Sequence, residues 1–144
     1  VTVKDGNVTL KKDRDYTVSY SANKGIGTAK VTVTGKGSYT GKITKTFKIN
    51  PQGQSISAKG DKSGKKIAVT LAKHSSNSGY QVSYADNSGF KNSKSLWLSG
   101  NSKNKGTIKG LKSKKTYYVK ARDYKTIGKT KVYGKWSAVK KVSI

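Results

Sequence analysis

Cysteine is absent from all 144 residues, so neither disulfide staples nor thiolate chemistry can operate. Glutamate is absent too, and the six acids are all aspartate: Asp5, Asp13, Asp15, Asp61, Asp86 and Asp123. That scarcity works against paired-carboxylate glycoside hydrolysis, and no EF-hand spacing of acids occurs. The one histidine, His74, lies in the polar stretch Lys73-His74-Ser75-Ser76-Asn77. A Ser-His-Asp triad would need that loop to be organised by a distant aspartate, so His74 reads as an ordinary loop residue. No catalytic residue and no metal site are expected. No cofactor is expected either: Gly25-Ile26-Gly27 reads as a hairpin turn, because no helix follows it to cradle a phosphate. No apolar run approaches the roughly 20 residues that a membrane-spanning helix needs. No signal-peptide pattern opens the chain. It begins and ends in strand-like triplets, Val1-Thr2-Val3 and Val142-Ser143-Ile144, so both ends read as cut from a longer parent.

Lysine fills the space the acids leave. There are 31 Lys and Arg against 6 Asp, a formal net charge of +25. Residues 1–50 hold 10 basic and 3 acidic residues and residues 51–144 hold 21 and 3, so the second region is the more cationic. Only Arg14 and Arg122 are arginine. Lysine is a hydrated point charge, whereas arginine is the planar fork that reads phosphates and guanine edges. The excess therefore suits diffuse attraction to polyanions and solubility, and nucleic acid is not the expected partner.

The hydrophobic pattern has period two throughout, and long amphipathic helices are absent. In the first region, Val1–Val3 and Val8–Leu10 flank the turn Lys4-Asp5-Gly6-Asn7. Tyr16, Val18 and Tyr20 alternate with polar residues, as do Ala29, Val31 and Val33. The last strand puts Ile43, Phe47 and Ile49 on one face and Lys42, Thr44, Thr46 and Lys48 on the other, which predicts one buried and one wet face. A 50-residue unit of this kind buries little surface and is marginal alone. Asn50-Pro51-Gln52-Gly53-Gln54-Ser55 holds the only proline, carries no periodicity, and reads as a short linker. The boundaries that follow are 1–50 and 54–144.

Seven strands are expected in the second region. Ile67, Val69 and Leu71 alternate; Tyr80, Val82 and Tyr84 follow; Leu96-Trp97-Leu98 makes a short strand; Thr107-Ile108 leads into a loop. Tyr117, Val119 and Ala121 then face inward while Tyr118, Lys120 and Arg122 face outward. Trp136, Val139, Val142 and Ile144 close the sheet, Trp136 as a core residue, with a bulge where the phase slips between Val139 and Val142. Leu111 precedes Tyr117 by six residues, a spacing that lets the tyrosine hydroxyl reach back to the loop backbone.

On these residues, region 54–144 resembles a bacterial fibronectin type III domain. The likeness rests on the Leu111/Tyr117 corner, the strand opening Gly79-Tyr80-Gln81-Val82 and the approach Val132-Tyr133-Gly134-Lys135-Trp136-Ser137. It departs from that family at Leu71, where a tryptophan is usual on the second strand. Region 1–50 resembles a small Ig-like repeat of Gram-positive surface proteins, through Asp15-Tyr16-Thr17-Val18-Ser19-Tyr20, Gly27-Thr28-Ala29-Lys30-Val31-Thr32-Val33 and Gly37-Ser38-Tyr39-Thr40-Gly41. The repeat's pattern begins upstream of Val1, so a first strand is expected before it. The resemblances imply an all-β chain of two tandem β-sandwich modules, Ig-like then fibronectin type III-like, within a secreted, cell-wall- or surface-associated multidomain protein.

Such modules serve as spacers, as adhesin segments, or as accessory domains beside a cell-wall- or polysaccharide-degrading enzyme whose catalytic domain lies elsewhere. The expected role is non-catalytic binding or spacing by a monomeric segment. Exposed aromatics anchor protein and glycan contacts. Tyr118 and Trp97 face outward by parity, and Tyr124 and Tyr133 are read as loop residues. Together with Lys125, Lys129, Lys131 and Lys135 they form the candidate binding set. Candidate partners are host glycoprotein, immunoglobulin, mucin and teichoic acid. A self-formed Lys–Asn or Lys–Asp crosslink would need a buried acid, for which Asp15 and Asp123 are the candidates.

Overall fold

The computed structural model describes all 144 residues, and every regular element is a β-strand. The chain divides into two compact units, Val1–Ile49 and Asn50–Ile144.

The first unit is a hairpin and a three-stranded meander. β1 (Lys4–Asp5) pairs with β2 (Val8–Thr9), so the tight turn is Gly6-Asn7, two residues shorter than the sequence suggested. Gly6 supplies the positive φ, 54°, that such a turn needs. β3 (Tyr16–Ser21), β4 (Gly27–Gly35) and β5 (Lys42–Ile49) run antiparallel in the order β3-β4-β5. Asp15 fixes the entry to β3: its carboxylate accepts the Lys11 N–H at 2.8 Å and a two-pronged contact from Arg14 at 2.7 and 2.9 Å. Those donors, Arg14 first, hold the Asp15 carboxyl below its ordinary range. The alternation of β5 is present, but its apolar side is not a buried face. Ile43 is 59% exposed and Phe47 39%, because one thin sheet has little to close over them. The buried apolar residues of this unit are Leu10, Tyr16 and Ala29.

The second unit is a two-layer sandwich. One layer holds β6 (Ile56–Asp61), β7 (Lys66–Leu71) and β10 (Lys105–Ile108) in the order β10-β7-β6. The other holds β8 (Gly79–Ala85), β9 (Lys94–Ser99), β11 (Thr116–Ile127), β12 (Thr130–Tyr133) and β13 (Lys140–Ser143). β11 is its centre: β8 flanks one side and carries β9, while β12 and β13 share the other. The strands number eight rather than seven because the last one is interrupted. The chain leaves the ladder after Tyr133 and rejoins it at Lys140. Ser137 bridges the gap, donating its N–H to Ala121 O at 2.7 Å and accepting the Ala121 N–H on its hydroxyl at 3.0 Å. Val139, expected to help close the sheet, lies in this interruption and is 48% exposed, whereas Val142 and Ile144 are buried.

Period two sets the core. Ile67, Val69 and Leu71 are buried on β7, and Ala68 and Thr70 between them are exposed. Tyr80 and Val82 on β8 and Tyr117, Val119 and Ala121 on β11 meet them. Full burial of each large apolar side chain here stabilises the fold by about 1.5–3 kcal/mol. Leu71, where the resemblance leads one to expect a tryptophan, packs within this cluster as an apolar core residue. The expected corner is formed: Leu111 and Tyr117 are buried, and the Lys112 N–H donates to the Tyr117 hydroxyl at 3.0 Å. Of the stretch read as a linker, Pro51 and Gln54 are buried, and Gln54 is tied to Ala72 and Asp123.

Tyr117→Phe removes the acceptor of the Lys112 N–H and lowers the stability of the second unit by about 1–2 kcal/mol. Trp97 and Trp136, the only tryptophans, both lie in this unit, so urea denaturation followed by tryptophan fluorescence reports it alone. An unchanged midpoint would show that the corner bond adds nothing.

The β6–β7 turn yields a second expectation. Asp61 accepts hydrogen bonds from the Gly64 N–H at 2.9 Å and the Ser63 hydroxyl at 2.8 Å, and faces the Lys66 ammonium at 3.3 Å. These contacts, the Gly64 bond first, bring its carboxyl down to about 2. A depressed acid stabilises the fold above the unfolded-state value, about 3.9, and that contribution is lost as pH falls towards about 2. NMR titration of the Asp61 carboxyl should place its midpoint near 2, and Ala substitution at Ser63 should raise it. A midpoint near 4 would contradict the turn geometry.

Candidate functional site

The alternation that turns Tyr117, Val119, Ala121 and Asp123 inward turns Tyr118, Lys120, Arg122 and Tyr124 outward on β11. Residues directly opposite across antiparallel strands share a face. Outward with them stand Ser83 and Gln81 on β8, Ser95, Trp97 and Ser99 on β9, and Lys131 and Tyr133 on β12. None of the unit's three aspartates, Asp61, Asp86 and Asp123, holds an outward register position on this sheet.

The cations of this face sit over rings rather than beside carboxylates. The Arg122 guanidinium carbon lies 3.7 Å from the Tyr133 ring centre and 4.3 Å from that of Trp136. Its Nε donates to Gln81 Oε1 at 2.8 Å, and Gln81 in turn donates to the Ser95 hydroxyl at 3.0 Å. Lys120 Nζ lies 3.9 Å from the Phe90 ring centre and 4.9 Å from that of Trp136. Lys131 Nζ stands 5.8 Å from Trp97 and 5.7 Å from Tyr124, whose rings meet edge to face at 5.4 Å. Each such contact is worth about 0.5–2 kcal/mol, depending on desolvation. Burial pulls the Arg122 guanidinium below its usual range, with Tyr133 opposing the shift, but an arginine stays charged at neutral pH.

Glycine 79 makes the Trp97 end possible. A Cβ at this position, where φ is +149°, would run into the Leu98 carbonyl and lie 2.8 Å from the Tyr124 hydroxyl. The bare backbone lets the Tyr124 ring lie down over β8 beside Trp97.

The structure brings together four of the expected residues, Trp97, Tyr124, Lys131 and Tyr133, and corrects several placements. Tyr124 and Tyr133 are paired strand residues, not loop residues, and Tyr124, though on the outward parity, is buried at 5% exposure and so is not an exposed anchor. Trp136, assigned to the core, is half-buried on the outward side beneath Arg122 and Lys120. Tyr118 is outward and half-buried. Lys125 pairs with Val132 and so takes the parity opposite to Tyr124. Lys129 occupies the β11–β12 turn, and Lys135 is exposed in the interruption after β12. Lys120, Arg122, Phe90 and Gln81 were not in the expected set. The outward parity of Lys120 and Arg122 on β11 was the signal for two of them.

Beneath the far end of the same strand lies a buried polar cluster. Asp123 is fully buried and accepts Gln54 Nε2 at 2.6 Å, His74 Nδ1 at 2.7 Å and Asn77 Nδ2 at 2.9 Å. The contact engages the Nδ1 side of the ring, so Asp123 sets the orientation of His74. His74 is therefore not the free loop residue expected; a distant aspartate organises its loop. No serine hydroxyl bonds its ring, and no group of three or more His, Cys, Asp or Glu side chains is gathered to hold a metal. The partners of Asp123 are a glutamine, a histidine and an asparagine, and those of Asp15 are Arg14 and a backbone N–H. Neither candidate acid is bonded to a lysine ammonium.

No protein-family model and no curated protein matches this chain. Among solved structures, it is similar to the FN1–FN3 domains of chicken CNTN1, with a TM-score of 0.55 at 18% identity. The match covers 83% of this chain and 43% of that one, so the chain spans less than half its length. The likeness shows the fold alone: this is an all-β chain of fibronectin type III/Ig-like β-sandwich architecture.

Asp123→Asn sets an amide N–H among three donors and leaves one acceptor oxygen for all of them. It lowers the stability of the second unit by about 3 kcal/mol or more. Tryptophan-monitored denaturation checks this, and a loss under about 1 kcal/mol would show that the cluster is not a structural tie.

Proposed function

We propose that this chain is a non-catalytic adhesion and spacer segment of a secreted multidomain protein on the surface or wall of a Gram-positive bacterium. Its partner is an anionic macromolecule: a mucin-like or acidic host glycoprotein, or a teichoic acid. One observation carries the reading. Of 31 Lys and Arg side chains, only Lys12, Arg14 and Lys66 lie within salt-bridge reach of a carboxylate. The remaining positive charge is spread over two all-β units and faces solvent with no internal counter-charge. Such a field draws polyanions and speeds their encounter. An antiparallel sandwich with a continuous apolar core is a rigid carrier for it, and its one Asp–His pair is engaged in holding a loop.

Binding of the chain to mucin and to purified teichoic acid should be measurable at low salt. It should weaken by about tenfold or more between ~0.05 and ~0.5 M NaCl, as exposed charges become screened. Absence of binding at low salt, or salt-insensitive capture of immunoglobulin in its place, would contradict the proposal.

A further inference from the structure

Resting on that reading, we propose that the outward face of the five-stranded sheet is the contact surface and that its occupant is an acidic polysaccharide. The face combines three features that an acidic glycan needs. The first is a set of positioned cations, Lys120, Arg122 and Lys131, held by aromatic rings and free of carboxylate partners. Arg122 is the most telling, because a half-buried guanidinium normally has an acid beside it. Here its hydrogen-bond partner is the neutral Gln81, so an anionic group on a ligand would complete it. The second feature is hydroxyl chemistry: Ser95 and Ser99 are exposed in outward positions, matched to a ligand rich in hydroxyls. The third is Trp97, 43% exposed, whose ring gives an apolar surface for the C–H side of a sugar.

The shape selects the ligand further. The cavities of 340–560 Å³ on this chain are lined by other residues, such as Lys62 with Lys115, Lys59 with Lys66, or Asp86 with Lys112. None of these four cavities lies among Lys120, Arg122, Lys131 and Trp97, the residues that would hold a ligand on the outward face. Single-stranded nucleic acid binds by stacking bases on open aromatic faces. On this sheet Arg122 already covers Tyr133 and Trp136, and Lys120 covers Phe90, which leaves Trp97 as the open ring and no run of rings for successive bases. A polymer that crosses the sheet and exchanges charge at intervals fits all of these conditions.

The test uses the whole chain and four probes: heparin, hyaluronan, poly-L-aspartate and oligothymidine. The face variant is Lys120→Gln/Arg122→Gln/Lys131→Gln. The control, Lys42→Gln/Lys45→Gln/Lys48→Gln, removes equal charge from β5 in the first unit. At ~0.15 M salt the face variant should lose about tenfold or more in affinity for heparin and hyaluronan, and the control less than about twofold. Because the triple change could disturb the sheet, the wild-type chain supplies a second readout. Both tryptophans border the face, so either glycan should shift their fluorescence, and NMR titration should move the Trp97 indole and Arg122 Nε signals first. Equal losses in the two variants, or unmoved Trp97 and Arg122 signals, would overturn this assignment while leaving polyanion binding intact. Poly-L-aspartate or oligothymidine binding as tightly through the same residues would overturn the glycan as occupant. Failure of the wild type to bind any polyanion, teichoic acid and mucin included, would instead bring down the functional reading beneath it.

Discussion

β11 is the constraint on which the second unit depends. β8 pairs with residues 118–124 on one side, while on the other β13 pairs with 116–119 and β12 with 124–127. A strand gripped in this way cannot slip by one residue without sending Val119 and Ala121 into water and Lys120 and Arg122 into the core. Burial of the inward set therefore fixes the outward set. The chemistry of the exposed face follows from the packing of the hidden one.

The same logic explains why so cationic a chain can carry so ordered a surface. Charges of one sign on neighbouring positions repel each other, and few acids are available to separate them. Aromatic rings take that role on this sheet. Tyr133, Trp136 and Phe90 present negative ring faces to Arg122 and Lys120, which shields the cations from each other and restricts their side chains. Restriction matters for recognition, because a pre-ordered side chain loses less entropy when a ligand arrives. The first unit has no comparable device. Its meander leaves Tyr20, Ile43 and Phe47 exposed.

Much of the sandwich was legible from spacing alone. Strands β7 to β10, the inward and outward sides of β11 and the Leu111/Tyr117 corner follow from period two and one loop length, whereas β6 was not read and the stretch read as a loop over Tyr124–Tyr133 is the end of β11 and β12. What was not legible came from contacts distant in sequence. Asp123 stands on the inward parity of β11, a position where an acid demands donors, but Gln54 and Asn77 gave no sign that they would supply them. Trp136 was read as core because large aromatics are usually buried, and the cation–ring contacts that hold it outside depend on an interruption between β12 and β13. That interruption is stitched by Ser137, whose role no local pattern reveals. Exposure of Ile43 and Phe47 was missed for the converse reason: alternation specifies which side is apolar, not whether anything covers it.

The central claim is that Lys120 and Arg122 are fixed over aromatic rings by the alternation that builds the core. Proton NMR of the free chain tests it most directly. Side-chain protons held above a ring face are shifted upfield, so the Arg122 δ-methylene and Lys120 ε-methylene signals should stand upfield of their unstructured positions and show cross-peaks to Tyr133, Trp136 and Phe90 protons. Unshifted signals with no such cross-peaks, in a chain whose Tyr117 and Val119 resonances report an intact core, would contradict the account.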